Sequence, residues 1–306
     1  MVKQRTLNKK FSLKGKGLHT GRKVRITFHP APENFGYKIR RIDLPGCPVI
    51  KASVENIHST DKGVTLSVGE VQVGFVGHGL AALYGCMIDN CLIDVNGPEF
   101  PLLDGSSIEF VNKIWRAGIR IQSAKRVYYV PKNRIEYRDE QSDSYLLLIP
   151  SDTFEIHTQI CFDSDVLSIQ SANMNDLSEF PDQIAKCRRF VFIREIEPFL
   201  QKGVTKGEDL DNAIIIYDKL IPQEQLDRLT DRMKVKRKDA AVQGYIMNTP
   251  LRVSNEPACH KILDIIGDIS LTGKFIKGNI VSFCPDHRVN ARFAQAILKD
   301  INLTQA

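Results

Sequence analysis

The sequence lacks the short patterns that mark several common classes of protein. No window approaches about 18 consecutive apolar residues, so we predict no membrane-spanning helix. The basic N-terminus, MVKQRTLNKKFSLKGKG, has no apolar stretch, so we expect no signal peptide. Neither G-x-x-x-x-G-K-[ST] nor G-x-G-x-x-G occurs, which excludes two common phosphate-binding loops.

Paired cysteines are also missing. The seven cysteines are scattered, odd in number and contain no C-x-x-C pair. This usage is typical of a reducing compartment, in which most cysteines act as small core residues. Together with the missing leader and membrane span, it predicts a cytoplasmic protein.

The charge balance is close to even. A net charge of +6 suits an anionic substrate but is too small to indicate nucleic acid by itself. The basic run KVKRK at residues 234–238 has no interleaved aromatic residue, so we expect a solvated face and no nucleic-acid partner. The 306 residues, 42% of them hydrophobic, are enough for about two globular domains.

Strand-like and helical patterns are mixed along the chain. Residues 23–29 and 154–162 alternate as strands do, whereas residues 256–271 form the strongest helical pattern. Because strands and helices do not alternate regularly, the pattern favours an α+β fold. The polar, irregular stretch 117–126 predicts a domain boundary, with domains at 1–122 and 123–306.

The segment CHKILDIIGDISL carries three polar residues at helical spacing. His260, Asp264 and Asp268 are four residues apart, so they share one face of a helix. A histidine and a carboxylate at this spacing can bind one divalent cation together. A polar stripe that faces solvent is the alternative. The isoleucines and leucine between the three cover much of the remaining surface, which favours a site inside a buried helix.

Two further histidines are candidates for the same site. His78, in VGHGLAAL, lies where a strand gives way to a helix and is the best third ligand, although a structural histidine is the alternative. His287, in PDHRVNARF, opens the last predicted helix. It is either a general acid near the metal or part of a helix start capped by Asp286.

Three long strings resemble the zinc-dependent UDP-3-O-acyl-N-acetylglucosamine deacetylases of lipid A biosynthesis. They are KGKGLHTG with VRITFHPAPENFGYKIRRIDLPG, then IDNCLIDVNGPEFPLLDGSSIEFV, then HKILDIIGDISLTGKFIKG followed by DHRVN. The resemblance covers nearly the whole chain. Some relatives carry a fused dehydratase domain after this region, which we expect this chain, ending at Ala306, to lack.

The resemblance implies a fold and partners. The fold is two α+β domains, each a β-sheet with two helices, with the helices sandwiched between the two sheets. An insertion near 191–218 is expected to form a tunnel for an acyl chain. The implied partner is a UDP-3-O-acyl-N-acetylglucosamine-like substrate. We also expect a monomer that contacts a membrane surface only transiently.

The resemblance also implies roles for individual residues. Zn²⁺ is held by His78, His260 and Asp264, which agrees with the reasoning from spacing. His287 is the catalytic acid, and Asp268 orients it. Lys261 and Phe162 contact the substrate, with Phe162 near the uracil.

Two positions depart from the pattern of the family. A glutamate that serves as general base precedes the first ligand histidine in the family, and here that residue is Gly77. A threonine that stabilises the oxyanion is replaced by Arg189 in CRRF. Loss of a general base costs about 10²–10⁴ in rate, and loss of an oxyanion donor about 10²–10³. The sequence therefore leaves two hypotheses: a slow deacetylase, or a non-catalytic relative that binds zinc and a UDP-sugar lipid as a regulator or scaffold.

Overall fold

The structure is a computed structural model that describes residues 2–196 and 212–305. The helices are α1 (Gly77–Gly85), α2 (Ile108–Ala117), α3 (Gln223–Met233), α4 (Glu256–Ile269) and α5 (His287–Gln305). The strands are β1 (Lys3–Leu7), β2 (Phe11–Lys16), β3 (Lys23–Pro30), β4 (Tyr37–Arg41), β5 (Val49–Lys51), β6 (Ile57–Ser59), β7 (Thr65–Val68), β8 (Val71–Val73), β9 (Cys91–Val95), β10 (Ile119–Lys125), β11 (Tyr128–Tyr129), β12 (Ile135–Arg138), β13 (Tyr145–Ile149), β14 (Phe154–Cys161), β15 (Ile169–Met174), β16 (Phe190–Phe192), β17 (Ile214–Tyr217), β18 (Gly244–Ile246), β19 (Phe275–Ile276) and β20 (Gly278–Phe283). Within these described ranges, none of the helices has both the length and the apolar run needed to cross a bilayer.

Two five-stranded sheets share the same strand order. The first sheet runs β2-β3-β9-β4-β5 and the second β12-β13-β20-β14-β15. Each sheet has one parallel pair, β4 with β9 and β14 with β20, and its other neighbours are antiparallel. In each half the last strand enters the middle of the sheet between two helices of the sequence, α1 and α2 around β9 and α4 and α5 around β20.

The helices form a layer between the two sheets. Phe110 of α2 packs edge-on against Phe28 of β3, with ring centroids 5.9 Å apart. Helix α4 packs on β14 and β15, and its opposite side meets α1. This arrangement confirms the predicted α+β class with helices sandwiched between two sheets.

The stretch predicted to be irregular is in fact a strand. Residues 119–125 form β10, which pairs antiparallel with β1. Its side chains are exposed or half-buried on both faces, so no apolar alternation marks it in the sequence. The proposed domain boundary at 122–123 falls within this strand and stays a prediction.

Helix α4 is buried along almost its whole length. It begins with Glu256 and Pro257, which suit a first turn because a carboxylate favours the positive end of the helix and proline needs no N–H partner there. The three polar residues at its four-residue spacing are 3%, 4% and 0% exposed. The alternative of a solvent-facing polar stripe is therefore wrong.

Gly267 permits the close approach of α1 to α4. A Cβ atom placed on Gly267 would lie 2.6 Å from the carbonyl oxygen of Gly77, which is closer than real Cβ atoms come. A Cβ atom placed on Gly77 would meet nothing within 4 Å. An added methyl group would therefore clash at Gly267 but not at Gly77, although both residues lie at the contact between α1 and α4.

We expect this difference to appear in stability. Gly267→Ala overpacks a backbone contact at a cost of about 1–3 kcal/mol, offset in part by a helix-propensity gain of up to about 1 kcal/mol. Gly77→Ala has that gain without the clash. Denaturant unfolding at fixed zinc concentration should place Gly267→Ala below Gly77→Ala by at least about 1 kcal/mol. Equal free energies of unfolding would contradict the close approach.

The structure describes the predicted insertion, residues 191–218, at 191–196 and at 212–218. Strands β16, β17 and β18 form a three-stranded sheet. Val191, Ile193 and Ile215 lie in a hydrophobic cluster of their own, which includes Leu226 and Leu229 of α3. Residues 197–211 of the insertion lie outside the described residues.

Candidate functional site

Three side chains bring ligand atoms together between α1 and α4. One nitrogen or oxygen from each of His78, His260 and Asp264 lies within 4.8 Å of the other two. His78 is in the first turn of α1, and the other two are one turn apart on α4. The imidazole rings lie edge to face, with centroids 5.2 Å apart. The helix contact thus joins residues that are far apart in sequence into one buried cluster.

The unpaired polar atoms of this cluster fit a cation. Nδ1 of His78 and Oδ1 of Asp264 are buried and have no hydrogen-bond partner among the described residues. In the tautomer that places the proton on Nδ1, His260 donates to the carbonyl oxygen of Cys187 at 2.9 Å, and its Nε2 lies 3.4 Å from Asp264 Oδ1. A backbone acceptor on one ring nitrogen is the usual partner of a histidine that binds metal through the other. Two imidazoles and a carboxylate are the donor set of many catalytic Zn²⁺ sites.

The protonation states suit metal binding. Burial lowers the pKa of His78 well below its usual value and also lowers that of His260. Burial alone would raise the pKa of Asp264, but the neighbouring His260, His287 and Lys261 hold it below its usual range. Neutral imidazoles and an ionised carboxylate are the forms that bind a cation.

His287 is held beside this cluster by a buried carboxylate. Its Nδ1 lies 2.8 Å from Asp268 Oδ2, and its Nε2 lies 3.7 Å from Asp264 Oδ1. Burial alone would lower the pKa of His287, but Asp268 and Asp264 raise it to about 9. The two carboxylates thus favour the protonated imidazole, which is the form a general acid needs.

Asn290 is a member of this group that the sequence reasoning missed. Its Nδ2 donates to Asp268 Oδ2 at 2.9 Å, and the residue is fully buried. The signal was the spacing in HRVN, which places Asn290 three residues after His287 and on the same side of α5.

The two predicted substrate contacts both lie near Phe190 of β16. Lys261 Nζ is 3.3 Å from Asp264 Oδ2 and 5.5 Å from the ring centroid of Phe190. Phe162 packs against Phe190 and Phe192, with centroids 5.6 and 4.9 Å away. The structure thus places Lys261 beside the three candidate metal ligands, and it places Phe162 against the aromatic rings of β16. The role of Phe162 near the uracil stays a prediction.

Gly77 leaves open the position next to the first candidate ligand. It is the first residue of α1 and directly precedes His78. The space in front of its Cα is free of heavy atoms within 4 Å of an added Cβ. The position therefore has room for a Cβ atom, and glycine offers no proton acceptor there.

Arg189 places a permanent positive charge at the same site. Its backbone N–H donates to the carbonyl oxygen of Gly105 at 2.9 Å, and its own carbonyl accepts from Ile214 at 2.9 Å. Behind the larger effect of burial, its charge contributes to the lowered pKa values of His78 and His260. An anion or a developing oxyanion would be attracted to this charge.

A buried ion pair fixes the segment that carries Arg189. Arg188 Nε lies 2.8 Å from Glu256 Oε1, and Arg188 Nη2 lies 3.0 Å from Glu256 Oε2. Nη1 of Arg188 also donates to Thr249 Oγ1 at 2.6 Å. Because Glu256 starts α4, the pair ties the Cys187 carbonyl to the helix that carries His260. The partners are 68 residues apart, so no local pattern pointed to them.

Comparison with known proteins places the chain among relatives of one kind. It is 50% identical over 306 residues to the "Bifunctional enzyme LpxC/FabZ" of Porphyromonas gingivalis, covering 100% of this chain and 66% of the relative. The same-named protein of Bacteroides thetaiotaomicron is 49% identical over 99% of this chain and 66% of its own length. The "UDP-3-O-acyl-N-acetylglucosamine deacetylase" of Methylococcus capsulatus is 34% identical over 98% of this chain and 91% of its own length.

The family profile agrees with these similarities. The chain spans just under two thirds of the length of the two bifunctional relatives. The profile of UDP-3-O-acyl N-acetylglycosamine deacetylases matches residues 4–240 and 234–299. With the fold and the buried cluster between α1 and α4, these matches identify the chain as a member of the UDP-3-O-acyl N-acetylglycosamine deacetylase family.

Proposed function

We propose that the chain is a slow, zinc-dependent deacetylase that removes the N-acetyl group of UDP-3-O-acyl-N-acetylglucosamine in lipid A biosynthesis. The observation that carries this proposal is the buried cluster of His78, His260 and Asp264 beside His287, whose ring Asp268 holds at 2.8 Å. The substrate is carried over from the printed names of the relatives.

The chain's own residues supply binding, orientation and a proton. A Zn²⁺ ion held by the cluster would polarise the acetamide carbonyl and lower the pKa of a bound water. His287 would donate its Nε2 proton to the departing amine nitrogen. Asp268 keeps the ring in place through Nδ1, and Lys261 donates to Oδ2 of Asp264. Arg189 would attract the developing oxyanion where the family has threonine.

The site lacks a side chain at position 77 that could accept the proton of the attacking water. Gly77 has no side chain to take it, and His287 must be protonated to assist the leaving amine. One histidine cannot hold both states at the same moment. We therefore infer that turnover is slow, although the metal and acid positions are intact.

The metal assignment has a direct test. We expect the dialysed parent chain to retain one zinc per chain and His260→Ala to lose it, because one of three ligands is removed. His157→Ala is the matched control, since this histidine lies on β14 with a side chain 46% exposed. Atomic emission measures the content. Stoichiometric zinc in His260→Ala after dialysis would refute the ligand set.

Several further expectations belong to this proposal. We propose that the insertion at 191–218 borders an acyl-chain groove, because Phe190 adjoins Lys261 and a buried apolar cluster follows it. We also propose a monomer with domains at 1–122 and 123–306, a cytoplasmic location and transient contact with a membrane surface.

A non-catalytic role is the second candidate. It is favoured by Gly77 together with Arg189, since binding groups are kept while two catalytic groups differ from the family. Calorimetric binding of the UDP-sugar lipid, followed by acetate release from the same sample, separates the two. Binding without any zinc-dependent acetate release would support a regulator or scaffold.

A further inference from the structure

Two cysteines lie together at the ends of neighbouring strands, outside the cluster described above. Parallel strands β14 and β20 pair with Gln159 opposite Phe283. Beyond that pair, the backbone N–H of Cys284 donates to the Gln159 carbonyl at 2.8 Å. The thiol of Cys284 donates to the carbonyl oxygen of Cys161 at 3.4 Å. The Cys284 sulfur is therefore held against the backbone of the other cysteine.

Both cysteines can be reached from solvent. Burial raises the pKa of the Cys284 thiol, and the neighbouring thiol of Cys161 raises it further. Cys161 is exposed and Cys284 is half-buried. Cys284 has a φ of 46°, a left-handed conformation that glycine or asparagine adopts more readily. The backbone thus gives no reason for a cysteine at this position.

We propose that Cys161 and Cys284 are a thiol–disulfide modification site that a peroxide oxidises reversibly. The exposed Cys161 thiolate attacks a peroxide oxygen, breaking the O–O bond and giving a sulfenic acid and a hydroxide, which becomes water with the proton that this thiol released. The thiolate of Cys284 then attacks that sulfur, forming the S–S bond and expelling hydroxide, which becomes water with the proton released by the second thiol. Two thiols and one hydrogen peroxide become one disulfide and two waters. A small thiol reductant restores both thiols by exchange.

The crosslink would join two parts of the proposed active site. Cys161 directly precedes Phe162, and Cys284 lies three residues before His287. A disulfide would tie the strand end that carries the aromatic group to the turn that leads into α5. Its consequence for activity rests on the proposed function, but formation of the bond does not.

The chain contains a matched pair that should resist oxidation. Cys187 and Cys259 also lie near each other, since the Cys187 carbonyl is 2.9 Å from Nδ1 of His260, the residue after Cys259. They are only 0% and 8% exposed. A peroxide therefore has little access to either sulfur. If proximity of two cysteines were sufficient, both pairs would crosslink. If the peroxide must also reach a sulfur, only Cys161 and Cys284 will crosslink.

Peptide mapping of the whole zinc-loaded chain tests the proposal without reference to activity. After treatment with hydrogen peroxide, alkylation and non-reducing digestion, we expect a crosslinked peptide containing Cys161 and Cys284. Two alkylatable thiols should be lost and then recovered with dithiothreitol. Cys161→Ser and Cys284→Ser should each abolish the crosslink, with folding checked by thermal unfolding.

Two outcomes would overturn the proposal. One is recovery of Cys161 as sulfinic acid while Cys284 stays a free thiol. The other is a crosslink between Cys187 and Cys259 with the outer thiols unchanged. Because the peptide map needs no turnover, failure of the deacetylase proposal would leave this result interpretable.

Discussion

Gly77→Glu is expected to release acetate from UDP-3-O-acyl-N-acetylglucosamine at least about tenfold faster than the parent chain. Zinc alone can bring the pKa of its water to about 7, so the variant does not create the nucleophile. It adds an acceptor that holds the water and takes its proton while His287 keeps its own. The first atom of the added side chain meets no obstacle, because a Cβ at this position has no neighbour within 4 Å.

The gain should fall short of the full effect of a general base, which is about 10²–10⁴. The positive charge of Arg189 lies near the site and favours the ionised form of a new glutamate, which lowers its basicity. Gly77→Gln is the matched control, because it has the same size and cannot accept the proton. Steady-state acetate release at equal zinc content is the measurement. If Gly77→Glu binds zinc normally and releases acetate no faster than Gly77→Gln, this explanation is wrong.

Glu256→Ala is expected to lower the free energy of unfolding by about 3–5 kcal/mol. The substitution leaves Arg188 buried with its guanidinium facing no carboxylate, since its remaining bonds go to neutral oxygens of Thr249 and Pro250. An uncompensated buried charge is far more costly than the loss of a surface pair. The segment that carries the Cys187 carbonyl would also lose its ion pair with α4. We therefore expect weaker zinc binding together with the loss of stability.

The matched control is an exposed pair of the same residue types. Glu224 and Arg228 form an ion pair on α3 with side chains 76% and 73% exposed. Glu224→Ala should change stability by only about 0–1 kcal/mol. Urea unfolding of both variants measures the difference. Similar losses at the two sites would show that burial of the Arg188–Glu256 pair contributes little.

Some of the site was visible in the sequence because its chemistry is local. The four-residue spacing of His260, Asp264 and Asp268 predicted one helix face, and the structure places all three on α4. The missing carboxylate at Gly77 was also readable, because a motif fixes its position. The helix predicted over 256–271 ends at Ile269, where a short 3-10 turn takes over.

Other features depend on contacts between distant parts of the chain. No local pattern shows that β9 and β20 enter the middle of their sheets, since strand order follows from long-range pairing. The ion pair of Arg188 with Glu256 and the Cys187 carbonyl that fixes His260 have the same origin. Strand β10 was missed because it is held by backbone pairing with β1 and not by an apolar face.

Steady-state acetate release by the zinc-loaded parent chain, before and after removal of the metal, tests the central claim most directly. We expect a rate that depends on zinc and lies well below the median enzyme rate of about 10 s⁻¹, because the proposed metal ligands and the proposed acid are present while residue 77 offers no base. A rate at or above that median, or one that survives removal of the metal, would contradict the account.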